Sequence, residues 1–292
     1  METKAVTYGG QAVIEGVMMC GRCSVATSVR GADGKIHTEK EILDASLPFW
    51  GRIPLLRGLC VLKSSLFFGM KSIALSARLA EDTDKPMTDQ DLWHAAILAL
   101  AFFMLLFYIL PTALMEALSS DLAPWAANMG EGLVRLVLLW GYLAGISQMK
   151  DIRRVLEYHG AEHKAILCHE NGHSLTILNV RRSSRFHPRC GTNFLMVLMV
   201  ISLFGFTVFS WPPLWIRIAE HILFLPVLAG LAYEWLRWAA NTKNPLAFWL
   251  NHPGLWLERL TTREPDDREI EVAIEALKTV IEEDASLTYG NL

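Results

Sequence analysis

Residues Leu92–Met115 read LWHAAILALAFFMLLFYILPTALM, 24 residues whose one ionisable side chain is His94 at the start. A bilayer hydrocarbon core of about 30 Å is crossed by roughly 20 apolar residues in a helix. The stretch therefore predicts a transmembrane helix, and it sets the frame for the rest of the chain. Phe194–Trp211 carries no charge over 18 residues and reads the same way. Leu133–Met149 is a third span, provided that Arg135 near its start snorkels to the interface. Leu214–Trp238 is a fourth, although it holds Arg217, Glu220, His221 and Glu234.

Lysine and arginine then orient the spans. Residues 1–91 hold 11, the loop 116–130 none, the loop 150–193 eight, the Trp211-Pro212-Pro213 turn none, and the tail after 238 five. Rich and bare segments alternate, which predicts four spans with both termini cytoplasmic. Tryptophans 93, 125, 211, 215, 235 and 238 fall near the span ends, where an aromatic belt belongs. Of the 292 residues, 52% are hydrophobic and 20% charged, with a net charge of −3. This excludes a disordered chain, a disulfide-rich miniprotein and a nucleic-acid binder carried by bulk charge. The partner that composition does imply is the lipid bilayer.

The fold expected is mainly α, a four-helix transmembrane bundle with a small β-rich N-terminal cytoplasmic domain and cytoplasmic helices. Residues 1–91 form the N-terminal region. Within it Ser24–Arg30, the Asp33-Gly34 turn and Lys35–Glu39 suggest a hairpin. Residues 53–79 suggest an amphipathic helix, on the membrane surface or in a soluble core, and 81–91 a linker. Residues 92–149 form the first helical hairpin of the membrane, 150–193 a His-rich cytoplasmic loop, 194–238 the second hairpin and 239–292 a helical tail. In that tail Asp266 and Glu269 have capping-box spacing ahead of the apolar face Ile270, Ala273, Ile274, Leu277, Val280 and Ile281. All five cysteines fall on the cytoplasmic side by this reading, so their thiols are expected free or metal-bound.

Five of nine histidines lie between His159 and His187. His159 and His163 are four apart, so on a helix both imidazoles leave one face and can close on one metal. Glu162 completes an H-x-x-E-H pattern, the inverted zinc-peptidase order in which the glutamate is general base. That chemistry needs a carboxylate because zinc lowers the pKa of a bound water toward about 7 and its proton must be accepted. His187 and Cys190 also have ligand spacing, with Pro188 between them; a basic turn into the third span is the plain alternative. Glu234 falls at the same membrane boundary and is a further ligand candidate, or else a partner of Arg237.

The opening Gly9-Gly10-Gln11-Ala12-Val13-Ile14-Glu15-Gly16-Val17-Met18-Met19 resembles the start of the YqhQ-like bacterial membrane proteins. Tyr158–Ile166 resembles their Y-H-G-A-E-H-K-A/T-I run, and His187–Thr192 their H-P-R-C-G-T run. Pro253–Leu257 and Leu260–Asp267 resemble their tail. The resemblance runs over nearly the whole chain. It implies a multi-pass protein of the bacterial inner membrane and a predicted metal-dependent enzyme of unestablished function. Cys20 and Cys23 depart from the pattern, which carries an arginine after the methionine pair. Gln11 and Glu15 become site candidates through the resemblance alone, since a Gly-rich backbone can approach another element closely.

Three functions follow as expectations. The first is a membrane-bound metal-dependent enzyme, hydrolase-like, with its site at the cytoplasmic face. In it His159 and His163 are ligands, Glu162 the base, and Glu234 or His187 the third ligand; the cofactor is a divalent metal, zinc foremost. The alternative is a non-enzymatic membrane scaffold with a structural site closed by His159, His163, His187 and Cys190. The second alternative is a transporter working through Glu220, His221 and Glu234.

Overall fold

A computed structural model describes residues 7–43, 49–80, 88–118, 121–187, 189–240, 242 and 244–289. Most of the linker segment and Pro188 lie outside the described residues. The N-terminal part is a four-stranded antiparallel meander in the order β1 (Gly9–Val13), β2 (Gly16–Cys20), β3 (Ser24–Arg30) and β4 (Ile36–Ile42). The hairpin expected at Asp33-Gly34 is β3–β4, with Gly34 at φ +77°. A second hairpin was not anticipated. Val13 pairs with Gly16, leaving Ile14-Glu15 as a two-residue turn with Glu15 at φ +51°. Strands β2 and β3 are buried almost throughout, so they lack the period-2 alternation that marks a half-exposed strand.

The helices are α1 (Leu56–Ala80), α2 (Asp89–Met104), α3 (Leu110–Leu118), α4 (Pro124–Ile146), α5 (Lys150–Glu170), α6 (Ile177–Arg182), α7 (Gly191–Gly205), α8 (Leu214–Ala240), α9 (Pro245–Thr261) and α10 (Asp267–Tyr289). A π-helical turn, Leu105–Ile109, joins α2 to α3. Asp266 and Glu269 cap α10 reciprocally, at 2.8 and 2.9 Å. Its apolar face packs with Val17, Met19 and Ala26 of the sheet and with Tyr158, Ala161 and Ala165 of α5 in one core. The opposite sheet face meets α1, where Thr27 and Ser72 share a hydrogen bond of 2.8 Å.

Among the described residues, five helices are long and apolar enough to cross a membrane: Leu56–Ala80, Trp93–Leu118, Pro124–Ile146, Gly191–Val208 and Leu214–Ala240. Four coincide with the spans read from sequence. The fifth, α1, is the helix expected over residues 53–79 as amphipathic, and by length and composition it joins the other four. Its charges Arg57, Lys63, Lys71 and Arg78 are spaced widely enough to leave an apolar window. The spans carry bare apolar side chains outward, with Leu98 72%, Val137 72% and Leu223 75% exposed. A surface of that kind matches hydrocarbon rather than water.

The third expected span needs correction. It begins at Pro124, not Leu133, and Arg135 does not snorkel. Arg135 is buried between helices, paired with Glu131 one turn earlier and 2.8 Å from His221 Nδ1. Thr112 donates to Glu131 at 2.8 Å, and Arg217 lies 3.7 Å from the other Glu131 oxygen and 3.0 Å from Glu116. Glu131 is thus the shared anion of two buried guanidiniums. The shift of the helix start is what places it inside the bundle.

Candidate metal centre

Helix α5 does not continue α4; it starts afresh at Lys150 after an extended Met149. From Tyr158 to Ile166 nearly every side chain on it is buried, because three partners surround it: the sheet, α10 and the segment after α9. Gly160 is the key to the third. A Cβ there would collide with the carbonyl oxygen of Arg263, whose amide donates to Leu156 at 2.8 Å. A glycine inside a helix costs about 1 kcal/mol relative to alanine; here it lets residues 261–265 lie directly on α5.

That strap supplies the Thr261 carbonyl, 2.7 Å from His159 Nδ1. His163 Nδ1 is 2.6 Å from the Arg185 carbonyl. A carbonyl only accepts, so each Nδ1 carries the proton and each Nε2 presents a lone pair. The loop bearing Arg185 is itself held by Lys164, whose buried ammonium donates to the carbonyls of Arg181 at 3.0 Å and Ser183 at 2.9 Å. Cys190 Sγ lies 3.3 Å from His159 Nε2. One donor atom from each of His159, His163 and Cys190 lies within 4.8 Å of the other two.

Two buried carboxylates flank this trio. Glu258 of α9 accepts from the His187 amide at 2.9 Å through Oε2, and its Oε1 has no hydrogen-bond partner. Glu162 Oε2 likewise has none, while its Oε1 lies against Gly10 of β1, where a Cβ would sit 2.9 Å away. Burial pushes both acids up to about 7, against an opposing pull from His159; in Glu162, repulsion from Glu258 adds to the rise. Burial pushes the His163 imidazole down to about 2 and the Cys190 thiol up to about 12.

The remaining sequence candidates stand elsewhere. The His187 ring centroid is 5.6 Å from that of His163, but its Nδ1 accepts from the Arg189 amide at 3.2 Å and its Nε2 faces Glu170 at 3.5 Å. Glu234 pairs with Arg57 of α1 and accepts from the Leu55 amide at 3.3 Å. Glu15 pairs with Arg154 and accepts from the Tyr158 hydroxyl at 3.3 Å, so it positions α5 from the far side of the trio. Gln11 packs on Gly69 of α1 and, unlike the others, shares with His159 and Cys190 the wall of a cavity beside the trio. Glu258, Lys164 and the Thr261 carbonyl were not anticipated. One signal in the sequence points to Glu258: with Gly254, Leu257 and Thr261 it falls on one helical stripe, and a carboxylate on an otherwise uncharged buried stripe is rare.

A cavity of about 900 Å³ opens beside the trio, with His159 and Cys190 in its wall. The family model described as "Protein of unknown function (DUF1385)" matches residues 53–283. The chain belongs to the DUF1385 family. The matched segment contains the whole trio and both flanking carboxylates, and it begins after the sheet that carries Gln11 and Glu15. A Bacillus subtilis (strain 168) relative, "Uncharacterized protein YqhQ", is 32% identical over 292 residues, covering 94% of this chain and 92% of the relative. The YqhQ-like resemblance of the motifs therefore holds over almost the full length. No solved structure matches the chain.

Proposed function

We propose that this DUF1385 protein is a membrane-embedded, metal-dependent enzyme of hydrolytic type, with His159, His163 and Cys190 as ligands of one divalent metal. The observation that carries the reading is the pair of backbone carbonyls behind the two histidines. Second-shell acceptors of this kind fix the tautomer of ligating imidazoles; here His159 Nε2 lies 3.3 Å from the Cys190 sulfur, and a His163 ring nitrogen stands within 4.8 Å of both. The unpartnered oxygens of Glu162 and Glu258 fit a cation as well, since a buried carboxylate without a partner is costly. Imidazole with thiolate favours zinc. Three protein ligands with a cavity alongside is the arrangement of a catalytic zinc site, whereas a structural one closes with four. His187, the residue that would close it, accepts from the Arg189 amide through Nδ1, and its buried Nε2 lies 3.5 Å from Glu170 without a hydrogen bond.

His159, His163 and Cys190 would hold the ion, which would supply Lewis acidity to a substrate oxygen and to a water. The chain supplies the proton handling. Glu162 takes a proton from the attacking water as its oxygen bonds to the electrophilic centre, and returns that proton to the leaving group. Glu258 holds the His187 amide and so the loop that carries Cys190. Elemental analysis of purified protein is expected to show one equivalent of divalent metal per chain. Cys190→Ser keeps a side-chain cap on α7 but offers a hydroxyl in place of the thiolate, and is expected to lose the metal. Full retention in that variant overturns the ligand assignment.

The same reading places four of the five apolar helices across the bilayer. The sheet, α5 and α10 share one core, so an even number of crossings separates them. Between β4 and α5 lie α1, α2–α3 and α4, of which two cross. Helix α1 is the one that does not. Its Gly58 packs on Tyr233 at one end of α8, and its Ser72 bonds to the sheet. The lysine and arginine tally puts that shared side in the cytoplasm, in a bacterial inner membrane. A cysteine replacing exposed Asp121, between α3 and α4, is expected to react with an impermeant maleimide on intact spheroplasts. Reaction only after permeabilisation reverses the orientation.

A further inference from the structure

The cavity beside the trio has a composition of its own. Val61 and Leu62 of α1, Phe194 of α7 and Leu236 of α8 give it apolar walls. Arg189 and Arg237 also line it, and among the described residues no aspartate or glutamate does. Gly191 and Thr192, the first turn of the 15-residue α7, complete the wall next to Cys190. A Cβ at Gly191 would meet nothing within 4 Å. The Thr192 and Asn193 amides donate to Cys190 at 3.4 and 3.0 Å, so at this helix start the Gly191 amide joins the guanidiniums in favouring an anion. Arg189 pairs with Glu170 as well, which ties its side chain to the end of α5.

These features stand at one depth. Helix α7 begins at Gly191 and α8 ends at Ala240, so the cavity lies where two spans meet the same membrane boundary. A site for a small soluble ion would need the cations but not four apolar side chains from three helices. A site for a neutral lipid tail would need the apolar walls but not two guanidiniums. At about 900 Å³ the space is that of an organic ligand.

We propose that the cavity binds one anionic amphiphile from the adjoining leaflet, a lipid with a phosphate-type head, as the substrate class of the site. The head would rest at Arg189 and the start of α7, against His159 and Cys190, with an acyl chain along Val61, Leu62, Phe194 and Leu236. The substrate role rests on the enzymatic reading above; binding itself does not.

The test is native mass spectrometry of the full-length protein in a non-ionic detergent, titrated with dioleoyl phosphatidic acid, dioleoyl phosphatidylcholine or glycerol 3-phosphate. Phosphatidic acid is expected to be retained at one per chain, about tenfold more tightly than phosphatidylcholine, and glycerol 3-phosphate not at all. Leu62→Trp, which fills the cavity from α1, should weaken phosphatidic acid about tenfold while metal content and melting temperature stay at wild-type values. If that variant melts early, Ser65→Trp, exposed one turn further along, provides the same block. Undiminished binding in the filled variant overturns the proposal, as does equal retention of both lipids. Glycerol 3-phosphate bound as tightly as the lipid overturns it in favour of a soluble anion. Lipid retained by metal-free protein keeps the cavity assignment and removes the metal reading; metal without lipid does the reverse.

Discussion

Glu162→Gln is expected to keep wild-type metal content and melting temperature and to lose the protein's function, while His163→Ala loses the metal and melts early. The two residues are neighbours on α5, so proximity alone predicts no such difference. It arises because His163 offers a lone pair and Glu162 a proton acceptor. Glutamine retains the shape of the buried side chain beside Gly10 and removes its basicity. A general base typically contributes 10²–10⁴-fold to rate, about 3–5 kcal/mol of barrier. Removing a ligand instead weakens folding, because binding energy at such a site is folding energy. Complementation of a deletion strain, scored with elemental analysis and thermal melting, separates them. Complementation by Glu162→Gln at the wild-type level would transfer the site from catalysis to scaffolding.

Glu131→Ala is expected to be the most destabilising single change within the spans, by about 3–5 kcal/mol. Arg135 and Arg217 are 3% and 1% exposed, and both depend on this carboxylate. Without it two buried guanidiniums face each other inside the bundle. Glu116 also pairs with Arg217 but is half exposed, so Glu116→Gln should cost less than about 1 kcal/mol. Thermal unfolding in detergent compares the two. Equal melting of both variants would show that the cluster is hydrated and the helix packing looser than described.

Legibility in the sequence followed the range of each constraint. Uncharged stretches such as Phe194–Trp211 have a single physical reading, and they mark the spans. Helix α1 fell between readings because its cations break the apolar run without making it polar. The i, i+4 pair His159 and His163 is local and was visible. Cys190 was visible too, but in company with His187, and only the structure separates them: the Cys190 sulfur meets His159 Nε2, while His187 Nδ1 is taken by the Arg189 amide. Glu234 falls late in α8, yet its partner is Arg57, brought by a helix whose docking no spacing rule encodes. Glu258 comes to the site on α9, whose Gly254 lies directly against Asn193 of α7, a contact between distant parts of the chain.

The chain's first strands and its last helix share a core, and this sets an order of events at the ribosome. Val17, Met19 and Ala26 emerge near the beginning of synthesis, and Ile270, Ala273 and Leu277, which cover them, near the end. At about 5–20 residues per second, the sheet waits on the order of ten to fifty seconds for its cover. The Thr261 carbonyl and Glu258 arrive in the same late stretch, so the His159 tautomer and the second carboxylate are set only then. A nascent chain stalled before α9 already holds His159, His163 and Cys190, yet it lacks both the carbonyl that orients His159 and the Glu258 carboxylate beside Cys190.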